Sequence, residues 1–125
     1  NIYFMKLFLY LVVFVLLIGC QPPQRNCTDF KQGDFTFTAL VGGVEKTTTF
    51  TRNDLWEVST YEGVIDSASV RWINDCEYVV QSLNEENPQA KPIHIKILST
   101  DQTGYTFEYS IIGSAKKQRG KATKQ

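Results

Sequence analysis

The stretch YTFEYSII, residues 105–112, sets Tyr105, Phe107, Tyr109 and Ile111 at alternate positions against Thr106, Glu108, Ser110 and Ile112. Successive side chains of a strand point to opposite faces, so a period of two over eight residues describes a strand with one face in a core. The preceding stretch IHIKIL (93–98) repeats the pattern, with Ile93, Ile95 and Ile97 opposed by His94, Lys96 and Leu98. The four residues Asp101, Gln102, Thr103 and Gly104 between them read as a tight turn. Two amphipathic strands joined by a turn make an antiparallel pair, and the rest of the chain extends it.

Upstream, Phe35, Phe37, Ala39 and Val41 alternate with Thr36, Thr38 and Leu40, and Gly42-Gly43 supplies a two-residue hairpin turn. The return strand spans 44–52, with Thr47, Thr48 and Thr49 as a β-branched run. Asn53-Asp54 turns the chain into 55–61, where Trp56 and Val58 share a face; Glu62-Gly63 reverses it into 64–73, where Ala68, Val70 and Trp72 share one. After the Asn74-Asp75 turn, Cys76, Tyr78 and Val80 share a face of 76–83. The long loop 84–92 carries two prolines, and a weaker last strand spans about 117–124. No window combines helical periodicity with a cap and a clean end in this region. The expected fold is all-β, an antiparallel meander of about eight strands. Such a sheet loses its exposed edges most simply by closing into a small up-and-down barrel, filled or holding one small ligand; an open or sandwiched meander is the alternative. By architecture alone this is lipocalin-like, without a Gly-x-Trp signature.

The first twenty residues obey other rules. Lys6 precedes an apolar run over 7–18, and Gly19, Cys20, Gln21, Pro22 and Pro23 end it. A spanning helix needs about 20 apolar residues, so the run reads as the h-region of a signal peptide. Met5 directly before Lys6 places residues 1–4 upstream of the expected start. Leu17-Ile18-Gly19-Cys20 resembles the bacterial lipobox. The resemblance implies cleavage before Cys20 and acylation of its sulfur and its new amine, and two or three acyl chains suffice for stable attachment. Gln21 stands where enteric bacteria use aspartate to retain lipoproteins in the inner membrane, so the expected place is the cell envelope, at the outer membrane facing the periplasm. The organisation is then upstream residues and signal peptide over 1–19, a lipidated cysteine and tether over 20–26, and a single β-barrel-like domain over 27–125.

Once Lys6 is removed, the 13 basic residues fall to 12 against 13 acidic ones. That balance argues against a nucleic-acid partner. A chain of this size makes one modest domain, expected to be monomeric. Cys27 and Cys76 are the remaining cysteines, and export favours a disulfide between them, with free thiols or metal ligation as the alternative. Closing that loop contributes about 4 kcal/mol in the chain-entropy view.

Motifs that carry chemistry are sparse. His94 is the only histidine, which excludes a catalytic triad or a multi-imidazole zinc site. The pairs Glu85-Glu86 and Asp75 with Glu77 read as solvated charges, and Asn26-Cys27-Thr28 is a sequon without meaning in a bacterial chain. Lys116, Lys117, Arg119, Lys121 and Lys124 make a basic C-terminus, read as a lysine-protected edge strand in preference to a lipid-headgroup site. No catalytic residue, metal site or cofactor is expected, and the chain is not expected to be an enzyme. If the barrel is hollow, Trp56, Trp72, Tyr78, Phe107 and Tyr109 are the candidate lining of an apolar ligand pocket.

The stretches CTDFKQGDFTF (27–37), EKTTTFTRND (45–54), RWINDCEY (71–78), KPIHIKIL (91–98) and YTFEY (105–109) resemble a group of short uncharacterised lipoproteins of Gram-negative bacteria. Members of that group are at times called a subunit of DNA topoisomerase IV. An exported domain of about a hundred residues has no room for an acidic metal site, a nucleophilic tyrosine domain and a DNA gate. The resemblance therefore brings no functional residues. The expected role is a membrane-anchored, non-enzymatic binding protein for a small apolar ligand or lipid. The alternative is a protein-binding envelope accessory or inhibitor. Barrel-type lysozyme inhibitors expose a Ser-Ala-Ser-Gly loop, whereas here Ser67-Ala68-Ser69 is followed by Val70.

Overall fold

A computed structural model describes residues 1–16, 19–20, 25–84 and 89–125. The lipobox positions Leu17 and Ile18, the tether residues 21–24 and the Glu85-Glu86 pair lie outside the described residues. The apolar leader forms helix α1 (Ile2–Leu16), and a single 3-10 turn spans Cys27–Phe30. Among the described residues no helix is long and apolar enough to cross a membrane.

The remainder is a closed barrel of eight antiparallel strands in sequential order. They are β1 (Gly33–Val41), β2 (Val44–Arg52), β3 (Trp56–Tyr61), β4 (Val64–Asn74), β5 (Glu77–Ser82), β6 (Ile93–Thr100), β7 (Gly104–Ile111) and β8 (Gln118–Lys124). Residues directly opposite in an antiparallel pair share a face, so the register fixes what points inward. From Phe35↔Phe50, Arg52↔Glu57, Trp72↔Tyr78, Ile97↔Phe107 and Tyr105↔Ala122 the inner face follows around the ring. β1 closes on β8 through three pairs, from Phe35↔Lys124 to Phe37↔Ala122. The closure leaves β8 paired on both sides, which corrects the expected edge strand: its basic side chains sit on a closed wall. Arg119 and Lys117 reach Glu108 at 4.0 and 3.5 Å, and Lys121 reaches Asp101 at 3.6 Å.

The barrel has two unlike ends. At one lie the turns after β2, β4 and β6 and the chain entrance, where Asn26 N donates to Thr100 Oγ1 at 2.8 Å and Arg25 to the Ile97 carbonyl at 3.4 Å. At the other lie the hairpin tips Gly42-Gly43 and Glu62-Gly63, the loop before β6 and the β7–β8 connection. Irregularities in pairing between Trp72 and Asn74 and between Ile97 and Ser99 bend β4 and β6 near the first end. Phe30, Phe35, Val70, Tyr78, Ile97, Tyr105, Phe107 and Ala122 form the core, which is concentrated at that same end.

Gly120 is required by packing. A Cβ there would run into the Phe37 ring and lie 2.9 Å from Phe107 Cζ, so the two rings cross over β8 only because that residue has no side chain.

Candidate functional site

The floor of the barrel is built around Arg52, the last residue of β2, which is only 2% exposed. Its Nε donates to the Lys31 carbonyl at 3.3 Å, and Nη1 donates to the hydroxyls of Tyr78 and Tyr105 at 2.9 and 3.2 Å. Nη2 donates to the Phe30 carbonyl at 2.5 Å and to the Tyr105 hydroxyl at 3.2 Å. All five donors of the guanidinium are thereby engaged, and every acceptor is neutral. The rings of Phe35 and Tyr78 face the guanidinium at 4.7 Å. Burial works against the charge, but the phenol oxygens of Tyr78 and Tyr105 and the carboxylate of Glu57 outweigh it and hold Arg52 charged above its ordinary value. Burial, with Tyr105 adding to it, pushes the Tyr78 hydroxyl well up, so that hydroxyl stays protonated.

The carbonyls of Phe30 and Lys31 belong to the 3-10 turn and its exit. Arg52 thus clamps the chain entrance as a plug across one barrel end. Two further ties hold it. Cys27 and Cys76 form a disulfide with their Cα atoms 5.2 Å apart, and Lys124 Nζ donates to the Asp29 carbonyl at 2.9 Å. Lys31 lies over the Trp72 ring at 5.0 Å and pairs with Asp75 at 3.0 Å, sealing the rim.

Above the floor the barrel is hollow. A cavity of ≈ 360 Å³ lies between Phe37, Phe50, Tyr78, Tyr105, Phe107 and Tyr109, with Val80, Ile93 and Ile95 completing the apolar wall. The β2–β3–β4 side is polar instead: Thr48, Glu57, Ser59, Asp66 and Ser82 face the same space, and Ala90 and Lys91 border it. Glu57 opposes Arg52 in register, yet no hydrogen bond or ion pair within 4 Å reaches its carboxylate from the described residues. Burial raises the Glu57 carboxyl above the ordinary glutamate value while Arg52 opposes the rise. Asp66 accepts from Ser82 Oγ at 3.3 Å.

The aromatic residues singled out in the sequence fall into three groups. Tyr78, Phe107 and Tyr109 line the cavity. Trp72 points inward but packs beneath it, 4.5 Å from the Tyr78 ring and 5.7 Å from Arg52. Trp56 does not belong to the pocket: it is 55% exposed on the outer face, and Val58 is exposed with it. The apolar alternation of β3 suggested the opposite phase. Pairing of β3 with β2 decides it, because Arg52↔Glu57 and Phe50↔Ser59 turn Glu57 and Ser59 inward.

The other singled-out residues lie outside the cavity lining, Ala68 excepted. His94 is half-exposed on the outer face, 3.6 Å from Glu77. Ser67, Ala68 and Ser69 lie inside β4 and form no loop. Cys20 is an exposed free cysteine. Among the described residues no cluster of His, Cys, Asp and Glu could hold a metal ion. Sequence reasoning missed Arg52, Glu57 and Asp66. Their parity was visible: Arg52 shares the face of Thr48 and Phe50, and with the turn pairing it to Glu57 the acidic residue follows.

No known family, curated protein or solved structure matches this chain.

Proposed function

We propose that this chain is a lipid-anchored envelope protein, without enzymatic activity, whose barrel binds a small, largely apolar ligand. The single observation that carries the reading is the aromatic-walled cavity of ≈ 360 Å³, plugged at one end, in a barrel of this size. Concave, mostly apolar sites with a few placed polar groups are the usual form of small-molecule sites. The anchor at Cys20 follows from the lipobox resemblance, and the described cysteine is exposed and unpaired, as acylation requires. The chain enters the barrel at the plugged end. With Cys20 acylated, a tether of a few residues sets the plug toward the membrane and the open mouth away from it. A carrier so placed takes up or hands over its ligand on the aqueous side.

A native mass spectrum of the protein released from the envelope tests the binding role. A co-purifying small molecule supports it; an empty barrel that captures one envelope protein instead supports the alternative, a protein-binding module. One observation favours that alternative. β1 and β2 pair only with each other from Thr38↔Thr47 to Val41↔Val44, because β3 reaches only to Thr48 and β8 only to Phe37. On the β3 side this two-stranded ribbon extends about 13 Å past its neighbour at about 3.3 Å per residue. Its tip exposes Leu40, Val41 and Val44, next to exposed Tyr61, Val64 and Ile65 on the β3–β4 tip. For the anchor, labelling with a palmitate analogue should mark the wild type and not Cys20→Ser. A labelled, membrane-bound Cys20→Ser protein would overturn it.

A further inference from the structure

We propose that the cavity selects a compact organic cation, an ammonium group on an apolar or aromatic body, and that Glu57 is the residue that selects it. The inference rests on the binding role proposed above and adds the ligand's chemical class. Three observations on the cavity wall converge on it.

The first concerns donors. A carboxylate or phosphate ligand needs N–H or O–H groups, and Arg52 is the obvious cation at the cavity floor. Its five donors are already engaged by the carbonyls of Phe30 and Lys31 and the hydroxyls of Tyr78 and Tyr105. An anion would have to break the clamp on the plug to reach it. Lys46, on the ribbon above the mouth, is paired with Glu62.

The second concerns acceptors. Glu57 and Asp66 both face the cavity. Glu57 pairs with Ala68, so Asp66 is its diagonal neighbour across β3–β4, about 7–8 Å away. Asp66 is held by Ser82, whereas the Glu57 carboxylate receives no donor from the described residues. A half-buried carboxylate without a hydrogen bond is an unmet acceptor, and a ligand N–H would meet it.

The third concerns the rings. Phe37, Phe50, Phe107 and Tyr109 present aromatic surface to the same space. Ring faces attract cations and also pack against apolar bodies, so the wall opposite Glu57 accepts an ammonium and its substituent together. Arg52 is thus unavailable to an anion, Lys91 remains as the one cation among the described lining residues against the two carboxylates of Glu57 and Asp66, and the volume suits a small body.

The test uses the full chain in phosphatidylcholine nanodiscs, with heats on empty discs subtracted. Three probes share one body and differ in head: 4-phenylbutylamine, 4-phenylbutanol and 4-phenylbutyrate. Isothermal titration at neutral pH should rank them amine, alcohol, carboxylate. The amine should bind about tenfold or more tighter than the carboxylate, as a charge-assisted hydrogen bond implies. In Glu57→Gln the amine and the carboxylate should come within about threefold of each other, since tenfold is the size of the interaction removed. Asp66→Asn should shrink the preference by less, because Asp66 already has a donor. A carboxylate that binds as well as the amine, or an amine preference untouched by Glu57→Gln, overturns the cation selectivity and leaves the cavity's binding role standing. Should Glu57→Gln fail to fold, the wild-type ranking alone decides. If none of the three probes binds, the cavity reading itself is overturned.

Discussion

Arg52→Met is the substitution that most directly tests how the plug is held. Methionine fills much of the guanidinium's stem volume but donates nothing. The hydroxyls of Tyr78 and Tyr105, 3.3 Å apart, retain each other as partners. The carbonyls of Phe30 and Lys31 lose their side-chain donors, and an orphaned buried acceptor costs about 1–3 kcal/mol. Against that loss of about 2–6 kcal/mol stands the desolvation of the guanidinium, which the variant no longer has to bear. Replacing buried charges by apolar side chains is often neutral, but only where no polar partner is left stranded. Here two carbonyls are. The expected net destabilisation is about 2–4 kcal/mol, a large fraction of the stability of an ordinary small domain.

Urea unfolding followed by circular dichroism measures this. With a slope of about 1–3 kcal/mol/M, the midpoint should fall by about 1 M or more at unchanged slope. Amide exchange should quicken most over residues 28–33, the stretch that Arg52 clamps, and less in β6 and β7. Arg52→Lys should fall in between, since an ammonium can replace some donors but lacks the planar fork that spans two carbonyls and two hydroxyls. An Arg52→Met protein as stable as the wild type, with unchanged exchange over 28–33, would refute the clamp and make the guanidinium a passenger of the core.

Three further outcomes follow from single contacts. Cys76→Ser opens a bridge of sequence separation 49, which should cost about 4 kcal/mol and lower the melting temperature by on the order of 20 °C; an unchanged melting curve would show the plug to be held without it. Gly120→Ala should destabilise by about 1–3 kcal/mol through collision with Phe37 and Phe107, and Phe37→Leu in the same chain should recover part of that; additive effects in the double mutant would contradict the crossing of those rings over Gly120. The Asp101 carboxyl is lowered to about 2 by Thr103 Oγ1, Thr103 N and Gly104 N, which donate to it at 2.7, 2.7 and 2.9 Å. A depressed folded-state value means stability present above the unfolded value of about 3.9 and lost as pH falls toward 2, so between those limits the wild type should lose melting temperature more steeply than Asp101→Asn.

The barrel was legible in the sequence because period-two alternation is a local signal. Tyr105, Phe107 and Tyr109 declare their face within a few residues, and the turn pairs between strands declare the topology. The disulfide was legible for a similar reason, since Cys27 and Cys76 were the two cysteines left once Cys20 was set aside. Arg52 was harder. It follows Thr47, Thr48, Thr49, Phe50 and Thr51 at the end of a strand, where a charged residue ordinarily marks the way out to solvent. Its acceptors come from residues 30, 31, 78 and 105, which only the closed ring brings together. Trp56 was misplaced for the converse reason: hydrophobicity assigns a tryptophan to the core, whereas register assigns faces by partner, and its partner strand had already turned Phe50 and Arg52 inward.

The division of labour between the two ends of the barrel follows from the same accident of parity. If Trp56 and Val58 had faced inward, the β2–β3–β4 wall would have been apolar, the interior would have closed on itself, and Arg52 would have lacked the counter-charge of Glu57. Because Glu57, Ser59 and Asp66 face inward instead, that wall cannot pack against the rings across from it without burying carboxylates unpaired, a heavy cost. The rings and the carboxylates therefore stand apart with ≈ 360 Å³ between them. Stability is gathered at the plugged end, in the disulfide, the Arg52 clamp and the buried aromatic cluster. The open end is left with a space between an aromatic wall and one that carries carboxylates.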